Sequence, residues 1–233
     1  MILNPSPRPI RLVAFDLDGT LIDSIGDIAS SANHVLVERY GPLARLPLAQ
    51  VRGFVGGGAR QLIERCLASM GRPEADVEPV FRRFLPVYRA RLVETTLLFP
   101  GLRDALGLIE PHARLAVLTN KPGEMSRILV HALGLDGRFL GGIGGDDLKT
   151  RKPDPEGLLS LAARAGVRPD ETALVGDSAI DIRTARNAGA VSIGVLWGYD
   201  REGMAKEGPD VTVQAPIEIA ELVRSRAGAP RPQ

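Results

Sequence analysis

The sequence predicts an α/β fold: a doubly wound parallel sheet with a helical module inserted after its first strand. Three observations support this prediction. Short apolar runs rich in branched residues recur along the chain, the segments between them have helical periodicity, and one long stretch has no strand-like run. Strands that alternate with helices are typical of a parallel sheet covered on both faces, and the 233 residues suffice to bury such a core.

The strand-like runs are each followed by a segment of helical periodicity. The runs are residues 10–17, 114–119, 172–176 and 191–196, with a glycine-containing fifth candidate at 139–143. The helical segments are residues 101–109, 123–133, 155–166 and 179–189. Each segment fits one crossover helix, so the pattern predicts an open parallel sheet.

Residues 22–97 depart from this alternation, because they contain helical patterns and no convincing strand. The patterns are residues 25–40, 59–70 and 76–93. Pro100 and Gly101 mark the return to the sheet, since this pair disfavours the continuation of a regular element. We therefore expect a helical insert between the first and second strands.

The expected organisation is a discontinuous core domain with one inserted domain. Residues 1–21 and 98–233 make up the core, and residues 22–97 make up the small helical domain. The Pro-rich or polar ends, residues 1–9 and 226–233, are expected to be frayed.

The composition is that of an ordinary globular protein and argues against several classes of partner. The chain has 29 basic and 28 acidic residues and no basic stripe, so nucleic acid is not an expected partner. No apolar run reaches the ~18 residues of a membrane span, and the Pro-rich start lacks the apolar segment of a signal peptide. We expect a cytoplasmic protein, monomeric or homodimeric, that acts on a small molecule.

Polar side chains gather just beyond the ends of three predicted strands. They occupy residues 16–20, 119–121 and 177–181. In open α/β sheets, ligands bind at the carboxyl ends of the strands, near the point where the strand order reverses. These carboxylates, hydroxyls, amide and lysine therefore predict a polar site at that edge.

The carboxylates of this edge favour a metal ion. Asp16 and Asp18 are two residues apart at a strand end, so their side chains point to the same side while the chain is extended. Such a pair repels unless a cation lies between the two carboxylates or one carries a proton, and Asp177 and Asp181 add to the negative charge. Mg²⁺ suits oxygen ligands of this kind, particularly when a substrate phosphate supplies another oxygen.

Four short motifs resemble, in the same order, those of the haloacid dehalogenase superfamily of phosphatases. They are Asp16-Leu17-Asp18-Gly19-Thr20, Leu118-Thr119-Asn120-Lys121, Lys152-Pro153-Asp154-Pro155, and Val175-Gly176-Asp177-Ser178 with Asp181. The resemblance spans residues 11–198, and four ordered motifs are far more specific than one Asp-x-Asp pair. It implies a Rossmann-like core with strand order 3-2-1-4-5, an inserted cap domain and a phosphoric monoester hydrolase activity.

The resemblance also implies roles for the aspartates. Asp16 would be the nucleophile and a ligand of Mg²⁺, while Asp18 would protonate the leaving oxygen, then activate water, and bind the metal through its backbone carbonyl. Asp177 would complete the protein ligands of the metal, and Asp181 would contact these ligands and hold them in position. The presence of Asp18 argues against dehalogenation, because a leaving halide needs no proton.

The other motif residues would bind the phosphoryl group. Thr119 and Asn120, with nearby backbone amides, would hold its oxygens, and Lys152 would neutralise their charge and that of Asp16. Taken singly, each motif has a structural alternative, such as a helix cap at Asp177 or a solvated side chain at Lys152. The joint pattern favours catalysis.

The insert contains a glycine loop, Gly56-Gly57-Gly58, with Arg60 close behind it. Glycines before a helix expose backbone N–H groups at its positive end, which favours a carboxylate ligand, and Arg60 would add a bidentate partner. The loop and its placement resemble the cap of the phosphoglycolate phosphatases within the superfamily. We therefore expect 2-phosphoglycolate as substrate, with glycolate and phosphate as products.

Other functions stay open at this point, because caps of this kind vary. A sugar-phosphate phosphatase, a pyrophosphatase or a phosphomutase like β-phosphoglucomutase would use the same Asp16. A non-catalytic phosphate-binding regulatory module would keep the fold without the activity. Lys121, Trp197 and Tyr199 are not assigned to the expected site.

Overall fold

A parallel sheet forms the centre of the computed structural model, which describes residues 8–226. The strands in this range are β1 (Leu12–Phe15), β2 (Ile22–Asp23), β3 (Leu97–Leu98), β4 (Arg114–Leu118), β5 (Phe139–Ile143), β6 (Thr172–Gly176), β7 (Val191–Val195) and β8 (Val211–Val213). Six of these strands pair in the order β5-β4-β1-β6-β7-β8, and each neighbouring pair is parallel. The predicted fold class and the order of the five predicted strands are therefore confirmed.

The sheet of the described residues has one strand more than expected. β8 has three residues and pairs with β7, and the exposed Thr212 at its centre interrupts the apolar pattern. β2 and β3, with two residues each, form a separate antiparallel pair at the two ends of the inserted segment. Strands this short contain too few residues for a periodic signal.

Helices cover the crossovers and the inserted segment. Between residues 8 and 226 they are α1 (Ile25–Tyr40), α2 (Leu48–Arg52), α3 (Ala59–Ser69), α4 (Val77–Ala90), α5 (Leu102–Ile109), α6 (Gly123–Ala132), α7 (Glu156–Ala165), α8 (Ala179–Ala188), α9 (Arg201–Lys206) and α10 (Pro216–Arg226). The sequence patterns identify all of these except α2, α9 and α10, of which α2 and α9 have only five and six residues. None of the described helices has the length and hydropathy that crossing a membrane requires.

The two chain ends that were expected to fray lie almost wholly outside the described range. Residues 1–7 and 227–233 fall beyond it. Within it, Arg8 forms an ion pair with Asp170, and Arg226 is the last residue of α10.

The sheet buries side chains on both of its faces, because successive residues of a strand point to opposite sides. Val13 and Phe15 of β1 belong to a larger apolar core that includes α5, α6 and α10. Leu12 and Ala14 belong to a second core with α7 and α8. This double packing holds β1 at the centre of the sheet and so fixes the position of the residues that follow it.

The inserted helices bury their apolar faces against one another. Leu36 of α1, Ile63 of α3 and Phe84 of α4 are each at most 1% exposed, and they belong to the same continuous core as Phe15. The helices of the insert are therefore joined to the sheet by packing as well as by the chain.

A buried carboxylate ties the two ends of the insert together. Asp27, in the first turn of α1, accepts hydrogen bonds from the backbone N–H and hydroxyl of Thr95, at 2.9 and 2.6 Å. It accepts two more from the same groups of Thr96, at 3.0 and 2.7 Å. Because Asp27 is 1% exposed, water cannot replace these bonds.

Replacing Asp27 by Asn should lower the free energy of unfolding by about 2–4 kcal/mol, because an amide nitrogen would face donors in a buried site. Denaturant unfolding followed by circular dichroism measures this loss. Asp104→Asn is the matched control, since Asp104 is exposed in the first turn of α5. Equal losses in the two variants would contradict the role of Asp27.

Candidate active site

The carboxyl ends of three neighbouring strands bring the predicted site residues together. Asp16 follows β1, Thr119 follows β4 and Asp177 follows β6, and β1 pairs with both of the other strands. Because these strands are parallel, their carboxyl ends lie at the same edge of the sheet. The polar site therefore lies at the edge that the sequence predicts.

Three buried carboxylates form the acidic part of the site. Oxygens of Asp16, Asp177 and Asp181 lie within 4.8 Å of one another, and the three residues are 6%, 3% and 0% exposed. Asp181 stands in the first turn of α8, where its carboxylate also accepts hydrogen bonds from the backbone N–H and hydroxyl of Ser178. The carboxylate of Asp18 is not part of this cluster and points to Lys121 instead.

Lys152 places a buried positive charge against the cluster. Its Nζ lies 2.8 Å from Asp16 Oδ1 and 2.6 Å from Asp181 Oδ1. Burial by itself lowers the pKa of a lysine, but the attraction of Asp16 and Asp181 outweighs it and raises the pKa of Lys152. Its ammonium group therefore stays charged.

The protein alone does not satisfy the charges of the acidic cluster. Burial, opposed by Lys152, raises the pKa of Asp16 to about 6. Burial, with the charges of Asp181 and Asp16, raises the pKa of Asp177 well above its usual value. Lys152 brings one ammonium group to three buried carboxylates. When all three are ionised, the remaining negative charge favours a further cation.

The donor set fits Mg²⁺. When all four carboxylates of this site are ionised, the two buried ammonium groups leave an excess of two negative charges. A divalent cation balances that excess, and hard oxygen donors are the ligands that Mg²⁺ prefers. The residues at the strand ends therefore suit the metal that the sequence predicts.

Two glycines make room for Asp177. A Cβ atom at Gly19 would lie 2.3 Å from Asp177 Oδ2, and one at Gly198 would lie 2.1 Å from Asp177 Cβ. Gly19 also has a φ of +84°, which side chains rarely permit. The backbone N–H of Tyr199 donates to Asp177 Oδ2 at 2.6 Å, so the segment after β7 helps to orient this carboxylate.

Asp18 lies in a separate pair with Lys121. Nζ of Lys121 lies 2.8 and 3.0 Å from the two carboxylate oxygens, and the hydroxyl of Ser24 donates to Oδ1 at 2.5 Å. Lys121 also donates to the hydroxyl of Tyr88.

The predicted site residues do not include Lys121, although the sequence contains a signal for it. Lys121 stands two residues after Thr119, and alternate residues of an extended chain face the same way.

Thr119 and Asn120 join the parts of the site. Thr119 is 4% exposed, and its hydroxyl accepts a hydrogen bond from the backbone N–H of Lys121 at 3.2 Å. The side-chain amide of Asn120 donates to the backbone carbonyls of Gly56 and Lys152, both at 3.1 Å. Asn120 thus connects the end of β4 to the glycine loop of the insert.

The glycine loop faces the site only in part. Gly56 and Gly58 line the central cavity, which Asp16 and Thr119 also line, whereas Gly57 and Arg60 do not. Arg60 is 43% exposed and pairs with Glu78 at 2.5 Å and Glu64 at 3.3 Å. Because these carboxylates already neutralise it, the structure does not bring Arg60 to the anion site that the sequence predicts.

The central cavity has a polar floor and largely apolar walls. Asp16, Asp18 and residues 119–121 form the floor. The walls come from the inserted segment, with the side chains of Ile28, Val55, Leu62, Phe84 and Tyr88. The sheet therefore supplies the charged groups, and the insert supplies an apolar enclosure.

The chain is similar to known proteins over most of its length. Residues 13–195 match the family described as haloacid dehalogenase-like hydrolase. The phosphoglycolate phosphatase of Chromobacterium violaceum is 38% identical over 222 residues, which cover 94% of this chain and 98% of the relative. The phosphoglycolate phosphatase of Pseudomonas putida is 40% identical over 204 residues, which cover 85% and 73%.

A solved structure agrees with these matches. The crystal structure of a predicted phosphoglycolate phosphatase from Haemophilus somnus superposes with a TM-score of 0.83 at 28% identity, covering 91% of this chain and 97% of that one. The family match includes all four motifs, and each motif contributes at least one polar side chain to the site: Asp16, Thr119, Lys152 and Asp177. The chain belongs to the haloacid dehalogenase-like hydrolase family.

Proposed function

We propose that this hydrolase is a magnesium-dependent phosphatase that cleaves 2-phosphoglycolate through a phospho-aspartate at Asp16. The observation that supports this most strongly is the buried group of Asp16, Lys152 and the acidic cluster at the strand ends. Phosphoryl transfer needs aligned reactants and positive charge on the transferred group, and this arrangement offers both.

Asp16 is the nucleophile in this proposal. Its carboxylate oxygen attacks phosphorus, and the bond from phosphorus to the ester oxygen breaks. Asp18 gives its proton to that oxygen, which leaves as the hydroxyl of glycolate. Water then attacks the phospho-aspartate, Asp18 takes the proton of the water, and phosphate leaves a free Asp16. The hydroxyl of Ser24 and the ammonium of Lys121 hold Asp18 in place for both steps.

The other floor residues hold the phosphoryl group. Thr119 and Asn120 stand at the end of β4, where a hydroxyl and backbone amides can donate to its oxygens. Lys152, fixed between Asp16 and Asp181, neutralises part of the charge of the group in transit.

The carboxylates of Asp16 and Asp177, with the backbone carbonyl of Asp18, would hold Mg²⁺. Asp181 supports them through its contacts with Ser178 and Lys152. When bound, Mg²⁺ supplies positive charge that aligns the phosphoryl group with Asp16.

Residues 22–97 act in this proposal as a cap domain over a core made of residues 1–21 and 98–233. The apolar walls that this segment contributes support such a role, because they keep water away from the phospho-aspartate until the alcohol has left. The four hydrogen bonds of Asp27 hold the two ends of the cap together.

The walls also favour a small acid over a sugar phosphate. Sugar hydroxyls placed against Ile28, Val55, Leu62 and Phe84 would lose hydrogen bonds with water and gain none. A phosphomutase would need a further acid and base from the cap, and no carboxylate or imidazole of residues 22–97 lines the described cavity. The names of the relatives agree with 2-phosphoglycolate.

Asp16→Asn should abolish the release of phosphate, because an amide cannot serve as the nucleophile at neutral pH. Phosphate release from 2-phosphoglycolate at saturating Mg²⁺ measures the effect. Asp104→Asn is the matched control, because Asp104 is exposed and does not line the cavity. Retained activity in a folded Asp16→Asn protein would refute the phospho-aspartate.

Mg²⁺ should raise the Tm, and by more at pH 8 than at pH 5. In the metal-free protein the raised pKa of Asp16, about 6, makes the folded state bind a proton that the unfolded chain, with an ordinary value of 3.8, has released. That contribution to stability is complete below 3.8 and is lost as the pH rises through about 6. Mg²⁺ replaces the proton, so it adds most at high pH.

Scanning calorimetry with EDTA or with excess Mg²⁺, at both pH values, measures this difference. Metal at a hundred times its Kd should raise the free energy of unfolding by about 2.7 kcal/mol. Asp177→Asn should remove most of the shift, because it deletes one proposed ligand. An equal shift at the two pH values would contradict the prediction.

A panel of phosphate esters tests the substrate. We expect kcat/KM for 2-phosphoglycolate to exceed that for glucose 6-phosphate by at least about tenfold, because the apolar walls offer no partners to sugar hydroxyls. Pyrophosphate is included as a second competing substrate. If a sugar phosphate or pyrophosphate is the better substrate, the assignment of 2-phosphoglycolate fails while the chemistry of Asp16 stands.

A further inference from the structure

A cation and a phenol lie side by side in the central cavity, beyond the phosphoryl site. The side chain of Lys121 is 3% exposed and Tyr88 is 2% exposed, and both line the cavity. Nζ of Lys121 donates to the Tyr88 hydroxyl and lies 4.5 Å from the centre of its ring. Lys121 comes from the sheet and Tyr88 from α4, so the pair stands where the core and the insert meet.

The Tyr88 hydroxyl has a proton to give and no acceptor for it. Its oxygen accepts a hydrogen bond from Lys121, but the hydroxyl donates to no acceptor within residues 8–226. Burial, followed by the charge of Asp18, raises the pKa of Tyr88 well above its usual value, so the hydroxyl keeps its proton. A buried donor of this kind, next to an ammonium group, is a favourable partner for an anion in the cavity.

Lys121 can bind an anion without releasing Asp18. The ammonium group has three N–H donors, and its present partners are the two oxygens of Asp18 and the neutral oxygen of Tyr88. Of these acceptors, the phenol oxygen is the weakest. An incoming carboxylate therefore takes its place and receives hydrogen bonds from both Lys121 and Tyr88.

The surroundings of the pair suit a carboxylate on a short substrate. Thr119, at the phosphoryl site, and Lys121 are two residues apart and line the same cavity. Apolar side chains of the walls, Val55 and Phe84 among them, lower the dielectric constant around the ammonium and strengthen its attraction for an anion. Gly58 and Ala59, at the start of α3, open on the same space with the positive end of that helix.

We propose that Lys121 and Tyr88 form the binding site for a carboxylate of the substrate, and that they select small phosphorylated acids over phosphate esters without an acid group. The proposal rests on the proposed phosphatase function. It assigns to Lys121 and Tyr88 the recognition that the sequence suggests for Arg60, whose charge Glu78 and Glu64 already neutralise.

The test compares 2-phosphoglycolate with ethyl phosphate, which has the same two-carbon chain on the ester oxygen but lacks the two carboxylate oxygens. The measured quantity is the selectivity, the ratio of kcat/KM for the two esters. In Lys121→Met the selectivity should fall by about a hundredfold, because a charge-assisted hydrogen bond to the acid is lost. Lys206→Met, which makes the same change at an exposed lysine of α9, should leave it unchanged.

A Lys121 that only holds Asp18 in place would give a different result. Both esters need Asp18, so kcat/KM would fall equally for both in Lys121→Met and the selectivity would stay constant. That outcome would overturn the proposal. A wild-type enzyme that cleaves both esters equally well would also overturn it while leaving the phosphatase function intact, whereas release of phosphate from neither ester would refute the proposed function itself.

Tyr88→Phe provides a second test that keeps the pair of Lys121 and Asp18. It removes one hydroxyl and retains the ring, which stacks on Phe84 with centroids 5.3 Å apart. The selectivity should fall about tenfold in this variant, because one hydrogen bond to an anion is lost. If Lys121→Met does not fold, an unchanged selectivity in Tyr88→Phe overturns the proposal on its own.

Discussion

The ion pairs of Lys152 with Asp16 and Asp181 are the interaction on which the rest of the site depends. All three side chains are nearly inaccessible to water, and burying unpaired charges of this kind costs several kcal/mol each. Asp16 follows β1, Asp181 belongs to α8, and Lys152 belongs to the segment between β5 and α7, so the pairs bring separate parts of the chain together. The same requirement favours a metal ion, because one ammonium group cannot balance three ionised carboxylates and a divalent ion would remove the remaining repulsion. The balance of these buried charges therefore both stabilises the fold and positions the residues of the site.

Much of this arrangement can be predicted from the sequence, because a parallel sheet places the residues after each strand at one edge. Alternating strands and helices are enough to predict a parallel sheet that brings Asp16, Thr119 and Asp177 to one edge, whereas the strand order follows from the family resemblance. β8 could not be predicted, since three residues contain no measurable period and its pairing with β7 is a long-range contact. Gly198 leaves room for Asp177, and the backbone N–H of Tyr199 donates to its carboxylate. Both residues follow β7, so these contacts also depend on a long-range pairing, that of β6 with β7.

The direction of long charged side chains is the part of the site that sequence patterns predict least well. Arg60 stands close to the glycine loop in sequence, but its partner Glu78 lies 18 residues away on α4 and turns it outward. Lys121 is equally close to Thr119, yet its burial depends on Asp18, 103 residues before it, and on Tyr88 of the insert. In both cases a carboxylate from another segment determines where the side chain points, because a charged group is stabilised next to a partner of opposite sign.

The division between a charged floor and apolar walls would allow a single cation, Lys121, to select the substrate in the proposed function. In water an ammonium group discriminates weakly, because solvent screens its charge and competes for its hydrogen bonds. The walls of the insert exclude that solvent, so a carboxylate that reaches Lys121 gains strongly, and a neutral group placed there leaves buried donors unpaired. Lys121 also bonds Asp18, so in the proposed mechanism the cation that would bind the substrate carboxylate also orients the proposed proton donor. In this proposal, recognition by the inserted segment and chemistry at the edge of the sheet meet at one side chain.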